Sequence, residues 1–260
     1  MADVQFYFVN GASNFTINST SVNMLLGYEG IEAPDIDFFG SDNAMGDGGF
    51  KRAIRVPMRR ISVEFMIEFG ASQETYRAAA MAFFKADVLY TISVTRNSIT
   101  RNIDGYLLTK PEYRQKNINL PIYITLELIC PTPYFRATSM TTVNETGTNV
   151  SSVTNPGDVP CGFAATITAT GGAVVNPTVS NALSEIMDLT KSMASTDIVV
   201  FNTVPGACYI TYEGAAVYTY TLDSVFFLLQ PGSNTITYGA DSGTTYIVGK
   251  VEFYPLYLGV

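Results

Sequence analysis

A chain without histidine has few routes to catalysis. None occurs among these 260 residues, so a Ser-His-Asp or Cys-His nucleophile pair is impossible and imidazole metal sites are excluded. Neither G-x-x-x-x-G-K-[ST] nor G-x-G-x-x-G is present, which removes the phosphate cradles that those glycines build. Paired carboxylates remain. The acidic residues concentrate in EAPDIDFFGSDNAMGDGG, with Glu32, Asp35, Asp37, Asp42 and Asp47. Two of them could serve a glycosidase and several a cation. The spacing departs from the D-x-[DN]-x-[DN]-G calcium loop, and Asp-Gly and Asp-Asn are ordinary turn pairs. A solvated loop is the preferred reading, ahead of a cation site or an acidic ring. The chain is read as having no catalytic, cofactor-binding or metal-ligating residues, no cofactor and no enzymatic activity.

The basic cluster FKRAIRVPMRR holds Lys51, Arg52, Arg55, Arg59 and Arg60. On one strand Arg55 and Arg59 would share one face and Arg52 and Arg60 the other, so no single basic surface forms. With Glu64 and Glu68 close behind, cross-strand or intersubunit ion pairs are favoured over nucleic-acid binding. A net charge of −8 points the same way, because gripping phosphates needs a basic stripe. Tyrosines are frequent in the second half: Tyr209, Tyr212, Tyr218, Tyr220, Tyr238, Tyr246, Tyr254 and Tyr257. They could stack on sugars, but their alternation suits core or interface better. Cys130, Cys161 and Cys208 form no C-x-x-C and are expected as reduced, buried thiols. No segment reads as a signal peptide or membrane span.

The elements that must carry these residues follow period two. In RISVEFMIEF, Ile61, Val63, Phe65, Ile67 and Phe69 form one apolar face. In NINLPIYITLEL, Ile118, Leu120, Ile122, Ile124, Leu126 and Leu128 do the same, with Pro121 at an edge or bulge. One segment differs. SQETYRAAAMAFFKAD, from Ser72 as N-cap to Asp87, spaces Tyr76, Ala80 and Phe83/Phe84 along a stripe and predicts one helix of about four turns. Beyond it lie strand signals at 163–168, 198–203 and 246–253. Turns are predicted at Glu213-Gly214, Gln230-Pro231-Gly232 and Ala240 to Gly243. That spacing belongs to a β-sandwich.

Charge divides the chain. Residues 1–140 carry 13 Lys/Arg and 14 Asp/Glu, a net −1, whereas residues 141–260 carry Lys191 and Lys250 against 9 acids, a net −7. With the Ser/Thr/Asn-rich stretch from Thr138 to Asp158 between them, this predicts domains at 1–137 and 138–260. Only 15% of residues are charged, against about 25% in ordinary globular proteins. Much of the surface is then uncharged, which suits a protein that meets many neighbours.

Several stretches together carry a resemblance. VNMLLGYEGIEAPDIDFF, GDGGFKRAIRVPMRRISVEFMIEFG, the helix after Ser72 and above all LELICPTPYFR, with Pro131, Pro133, Tyr134 and Phe135, resemble the N-terminal domain of siphophage distal tail proteins. NPGDVPCGFAATITATG, NPTVSN, DIVVFNT, EGAAVYTYTLDSVFFLLQPGSNTITY and VEFYPLYLGV are similar to that family's galectin-like C-terminal domain.

The resemblance implies a mainly β fold: an N-terminal β-sandwich or split-barrel-like belt domain with one helix at about 72–87, then a galectin-like β-sandwich. It implies a structural virion protein at the tail tip, assembled in the bacterial cytoplasm. Such proteins form a hexameric ring, single or stacked. That hub links the tail tube and tape measure proteins to the tail-associated lysin or fibre and carries receptor-binding proteins. DNA would pass through the channel without specific binding, and no membrane is involved. A prophage tail would look alike. The alternatives are a carbohydrate-binding adhesion module and a tail-tube protein stacking into filaments.

Overall fold

The computed structural model describes residues 4–42, 49–145, 147, 149–217, 220–221 and 223–260; the side chains at 40–42 and 49–52 lie outside the described set. Two compact units result. One comprises Met1–Thr138 together with Tyr257–Val260, and the other Ser139–Leu256.

The first unit contains β1 (Val4–Asn10), β2 (Ser13–Ile17), β3 (Asn23–Glu29), β4 (Asp37–Asp42), β5 (Gly49–Arg55) and β6 (Arg59–Ile67). Helix α1 (Gln73–Phe83) follows, then β7 (Tyr90–Arg96), β8 (Ile99–Leu107), β9 (Glu112–Arg114), β10 (Ile122–Cys130) and β11 (Phe135–Ala137). One sheet runs β2-β1-β7-β8-β10-β6-β3, with β9 beside β10 and β11 beside β8. Its strands pair antiparallel, and a bridge between Asn18 and Met24 joins the end of β2 to β3. Alternation selects the core. Ile61, Val63, Phe65 and Ile67 from β6 meet Ile122, Ile124, Leu126 and Leu128 from β10, all buried.

Three expectations change at their ends. Phe69 lies past β6 and is exposed. Ile118 and Leu120 are exposed as well, because β10 begins only at Ile122. Pro121 has no N–H to offer a ladder, and the residues before it turn instead, Leu120 donating to Asn117 at 3.0 Å. The helix stops at Phe83, a turn earlier than expected. Phe84 leaves it in an extended conformation (φ −82°, ψ 94°) and enters the core, its ring 5.0 Å from that of Phe15. The Tyr90 hydroxyl accepts from the Lys85 N–H at 2.7 Å and faces the Phe83 carbonyl at 3.0 Å, so it serves the freed end of the helix. Burial of two phenylalanines therefore outweighs the helix propensity of Lys85 and Ala86.

The second unit is a β-sandwich. Its strands are β12 (Thr141–Asn144), β13 (Val150–Asn155), β14 (Phe163–Ala169), β15 (Val174–Asn181), β16 (Ile186–Asp188) and β17 (Ser192–Met193). The later ones are β18 (Ile198–Asn202), β19 (Tyr209–Tyr212), β20 (Ala215–Val217), β21 (Gly232–Ser242) and β22 (Ile247–Phe253). One sheet runs β12-β22-β14-β18-β19-β20 and the other β13-β21-β15-β16, with β17 beside β15. Phe163, Ile167, Val199, Phe201 and Val251 from the first meet Val153, Val179, Ile236 and Tyr238 from the second. The sheets approach closely where Tyr238 crosses Gly249, since a Cβ there would lie 2.3 Å from the ring. Glu213 and Gly214, at φ 49° and 77°, make the tight turn between β19 and β20. The turn expected from Ala240 moves on. β21 continues to Ser242, and the chain reverses at Gly243.

The last four residues, expected with the second domain, belong with the first unit. β23 (Leu256–Tyr257) pairs with β11, and the Val260 N–H donates to the Ile31 carbonyl at 3.0 Å.

Candidate assembly surface

β4 and β5 form a two-stranded sheet of their own. Register places Phe38 opposite Ile54 and Asp37 opposite Arg55. Side chains alternate across a strand, so Phe38 and Ile54 share one face while Phe39 and the Asp37–Arg55 pair take the other. The first face is bare: Phe38 is 63% exposed and Ile54 49%. Phe39 and Met58 are exposed too. An isolated hairpin is marginal in water, and contiguous exposed apolar side chains mark interaction sites. At its root lies an open groove of about 840 Å³, lined by Asp35, Asp37, Arg55, Met58, Arg60 and Pro131 among others.

The charged clusters come apart in space. Asp37 pairs with Arg55 at 2.9 Å across the hairpin, the kind of cross-strand use expected. Glu32 pairs with Arg96, and Asp35 faces the groove. Asp47 and the side chains of Asp42, Lys51 and Arg52 lie outside the described residues. Arg55 and Arg59 do not share a strand face. Arg55 ends β5, Arg59 begins β6, and Pro57 lies in the break between them.

Arg59, one of the basic cluster expected to form ion pairs, is 4% exposed. Its guanidinium donates to the carbonyls of Gly30 (2.7 Å), Glu32 (2.6 Å), Pro133 (2.6 Å) and Leu258 (2.5 Å), and lies 4.9 Å over the Phe135 ring. Burial lowers its pKa, but a guanidinium stays charged in proteins. The P-x-P-Y-F stretch thus supplies one carbonyl and one aromatic face to a buried cation. Gly30, at φ 82°, is held to glycine because a Cβ would lie 2.0 Å from the Arg60 carbonyl oxygen. One signal could have found Arg59: period two already places it on the face of Ile61.

In the second unit the acids brace loops. Burial pushes Asp188 up, but hydrogen bonds from Ser224 (2.6 Å) and Thr221 (2.9 Å) outweigh it and leave its carboxyl below the usual range. Asp197, receiving the Tyr212 hydroxyl and the Ala194 N–H, is lowered likewise. Among the described residues no group of His, Cys, Asp and Glu could hold a metal ion. The tyrosines divide between core and surface. Tyr238 is core, but Tyr209, Tyr220, Tyr246 and Tyr254 are exposed and Tyr218 lies outside the described residues. Cys130 and Cys161 are buried, their thiols pushed up to about 12 by desolvation. Cys208 is exposed, against expectation.

Residues 156–256 match the family model of the siphovirus-type tail component, C-terminal domain. No curated protein matches the chain by sequence. Among solved structures, the Dit protein of phage SPP1, described as a paradigm of the hub adsorption apparatus in phages infecting Gram-positive bacteria, is similar at a TM-score of 0.72 and 13% identity. The match covers 96% of this chain and 98% of that one. A chain of the phage P2 baseplate in its activated conformation with Ca is similar at 0.52 and 8% identity, covering 98% of each. The same baseplate with Sr gives 0.51 and 8%, covering 96% of this chain and 97% of that one. Residues 156–256 are thus similar to the C-terminal domain of siphovirus-type tail components, and over its length the chain carries the same fold as the Dit protein of phage SPP1.

Proposed function

We propose that this tail protein forms a hexameric ring at the distal end of the phage tail. The ring is the hub that joins the tail tube and tape measure proteins to the tail-associated lysin or fibre and that holds receptor-binding proteins. It is a structural part and not an enzyme. The observation that carries the ring is the bare face of the β4–β5 hairpin, which in a closed assembly would lie against the next copy and bury Phe38 and Ile54. Charge supports the same arrangement. Residues 1–140 are nearly neutral and hold 13 of the 15 basic groups, while residues 141–260 carry −7. Copies crowd most cheaply through the first part, because repulsion between strongly acidic parts is screened only beyond about 8 Å at physiological salt. An unbasic channel lets DNA pass.

Light scattering with negative-stain electron microscopy tests this reading. The wild-type protein should form closed six-membered rings. The double variant Phe38→Ser/Ile54→Ser should be protomeric with a melting temperature almost unmoved, because exposed positions contribute within about 0.5 kcal/mol. Open filaments would favour the tail-tube reading, and a wild-type protomer at all concentrations would rule out the ring.

A further inference from the structure

We propose that Tyr257–Val260 are a latch that positions the root of the β4–β5 hairpin and so controls assembly, an inference resting on the hairpin reading above. Both legs of the hairpin converge on one cation. The entering leg presents the Gly30 and Glu32 carbonyls, and the leaving leg supplies Arg59 itself, four residues after β5 ends. The fourth carbonyl at that guanidinium comes from Leu258. Around it the segment is held at three further points. Arg101 donates to the Gly259 carbonyl and lies 3.6 Å over the Tyr257 ring. The Val260 N–H donates to Ile31 at 3.0 Å. Arg96, paired with Glu32, reaches the Val260 carbonyl at 3.3 Å.

Gly259 packs on the backbone of the entering leg. A Cβ there would lie 2.9 Å from the Ile31 carbonyl oxygen and 2.9 Å from the Glu32 carbonyl carbon. Lifting the segment would leave an N–H of a buried cation unpaired and free residues 30–32 from their lateral contacts. Orphaned donors on a buried charge are expensive, so the legs would move to re-pair Arg59. Among the described residues no further strand pairs with the hairpin to resist that movement. Chain that has passed through the whole second unit thus completes the assembly element of the first.

The test uses the full chain, as Gly259→Val, which forces the segment off, and as Arg101→Leu, which removes its clasp. Hydrogen exchange is read at the amides of β4 and β5, with β10 and β14 as internal references, and the oligomer midpoint concentration is read by light scattering. The latch predicts exchange at least roughly tenfold faster in the hairpin with the references within about twofold, and a midpoint raised at least roughly tenfold. Unchanged hairpin exchange in both variants overturns it. So does equal acceleration in β10, or loss of the whole first unit in both, since either makes the segment a general support of the core. Faster hairpin exchange with an unmoved midpoint keeps the positioning role but removes the hairpin as the assembly surface. A wild-type protomer defeats the ring alone, because the exchange arm still judges the latch.

Discussion

Cys130 and Cys161 show how burial turns a side chain into a pH sensor of stability. Each thiol is pushed up to about 12 because the apolar surroundings disfavour thiolate, whereas an unfolded cysteine ionises near 8.5. The folded state therefore holds the proton that the unfolded state gives up. Its advantage is complete below about pH 8.5 and is lost as pH rises towards 12, at up to about 1.4 kcal/mol per unit for each thiol. Urea unfolding at pH 7.5 and 9.5 should show the protein weaker at the higher value by roughly 1 to 1.5 kcal/mol per buried thiol. Cys161→Ala should flatten the slope for the second unit below about pH 10, where Tyr238, also raised to about 12 by burial, begins to contribute. An unchanged slope in that variant would contradict the assignment. Cys208 is exposed, and of the three cysteines it alone should react with a thiol reagent in the native protein.

β10 carries the first unit's core on one face and Tyr123, Thr125, Glu127 and Ile129 on the other. Leu126 is fully buried between Val63 and its neighbours. Leu126→Asp places an unpaired carboxylate there and should cost more than about 4 kcal/mol, or abolish folding. Thr125 faces outward, with Glu64 on one neighbouring strand and Glu112 on the other directly opposite. Thr125→Asp should then lose up to about 1 kcal/mol to like-charge repulsion, whereas Thr125→Lys should be neutral or slightly stabilising. Equal thermal shifts for Leu126→Asp and Thr125→Lys would refute the two faces. The alternation of NINLPIYITLEL shows these faces plainly from Ile122 onward. It fails before Pro121, where a period-two pattern continues but the backbone has no donor to continue the sheet. A similar limit governs α1: its propensity extends to Asp87, but Phe84 is worth more inside the core than on a helix face.

For the whole molecule, a β-sandwich as the second unit raises the question of sugar binding. The chain has neither histidine nor tryptophan, and no arginine after Arg136. The exposed tyrosines of the second unit offer stacking plates, but that unit has no arginine or histidine to donate to a sugar beside them. Calorimetric titration with lactose should show no binding at millimolar concentration. A measurable heat with saturation would bring back the carbohydrate-binding alternative.

The mainly β class, the single helix, the two charge regimes and the absence of histidine chemistry are all local properties, decided by periodicity and composition, and they stand in the sequence. The motifs that resemble distal tail proteins were legible too, because they are contiguous. What only the tertiary structure decided depends on residues distant along the chain. The return of Tyr257–Val260 to the first unit is one such feature, and the meeting of Gly30, Glu32, Pro133 and Leu258 at Arg59 is another. No spacing encodes either. A carbonyl looks the same at every position, so which four of them satisfy a buried guanidinium is settled only when the folded chain brings them within hydrogen-bond reach.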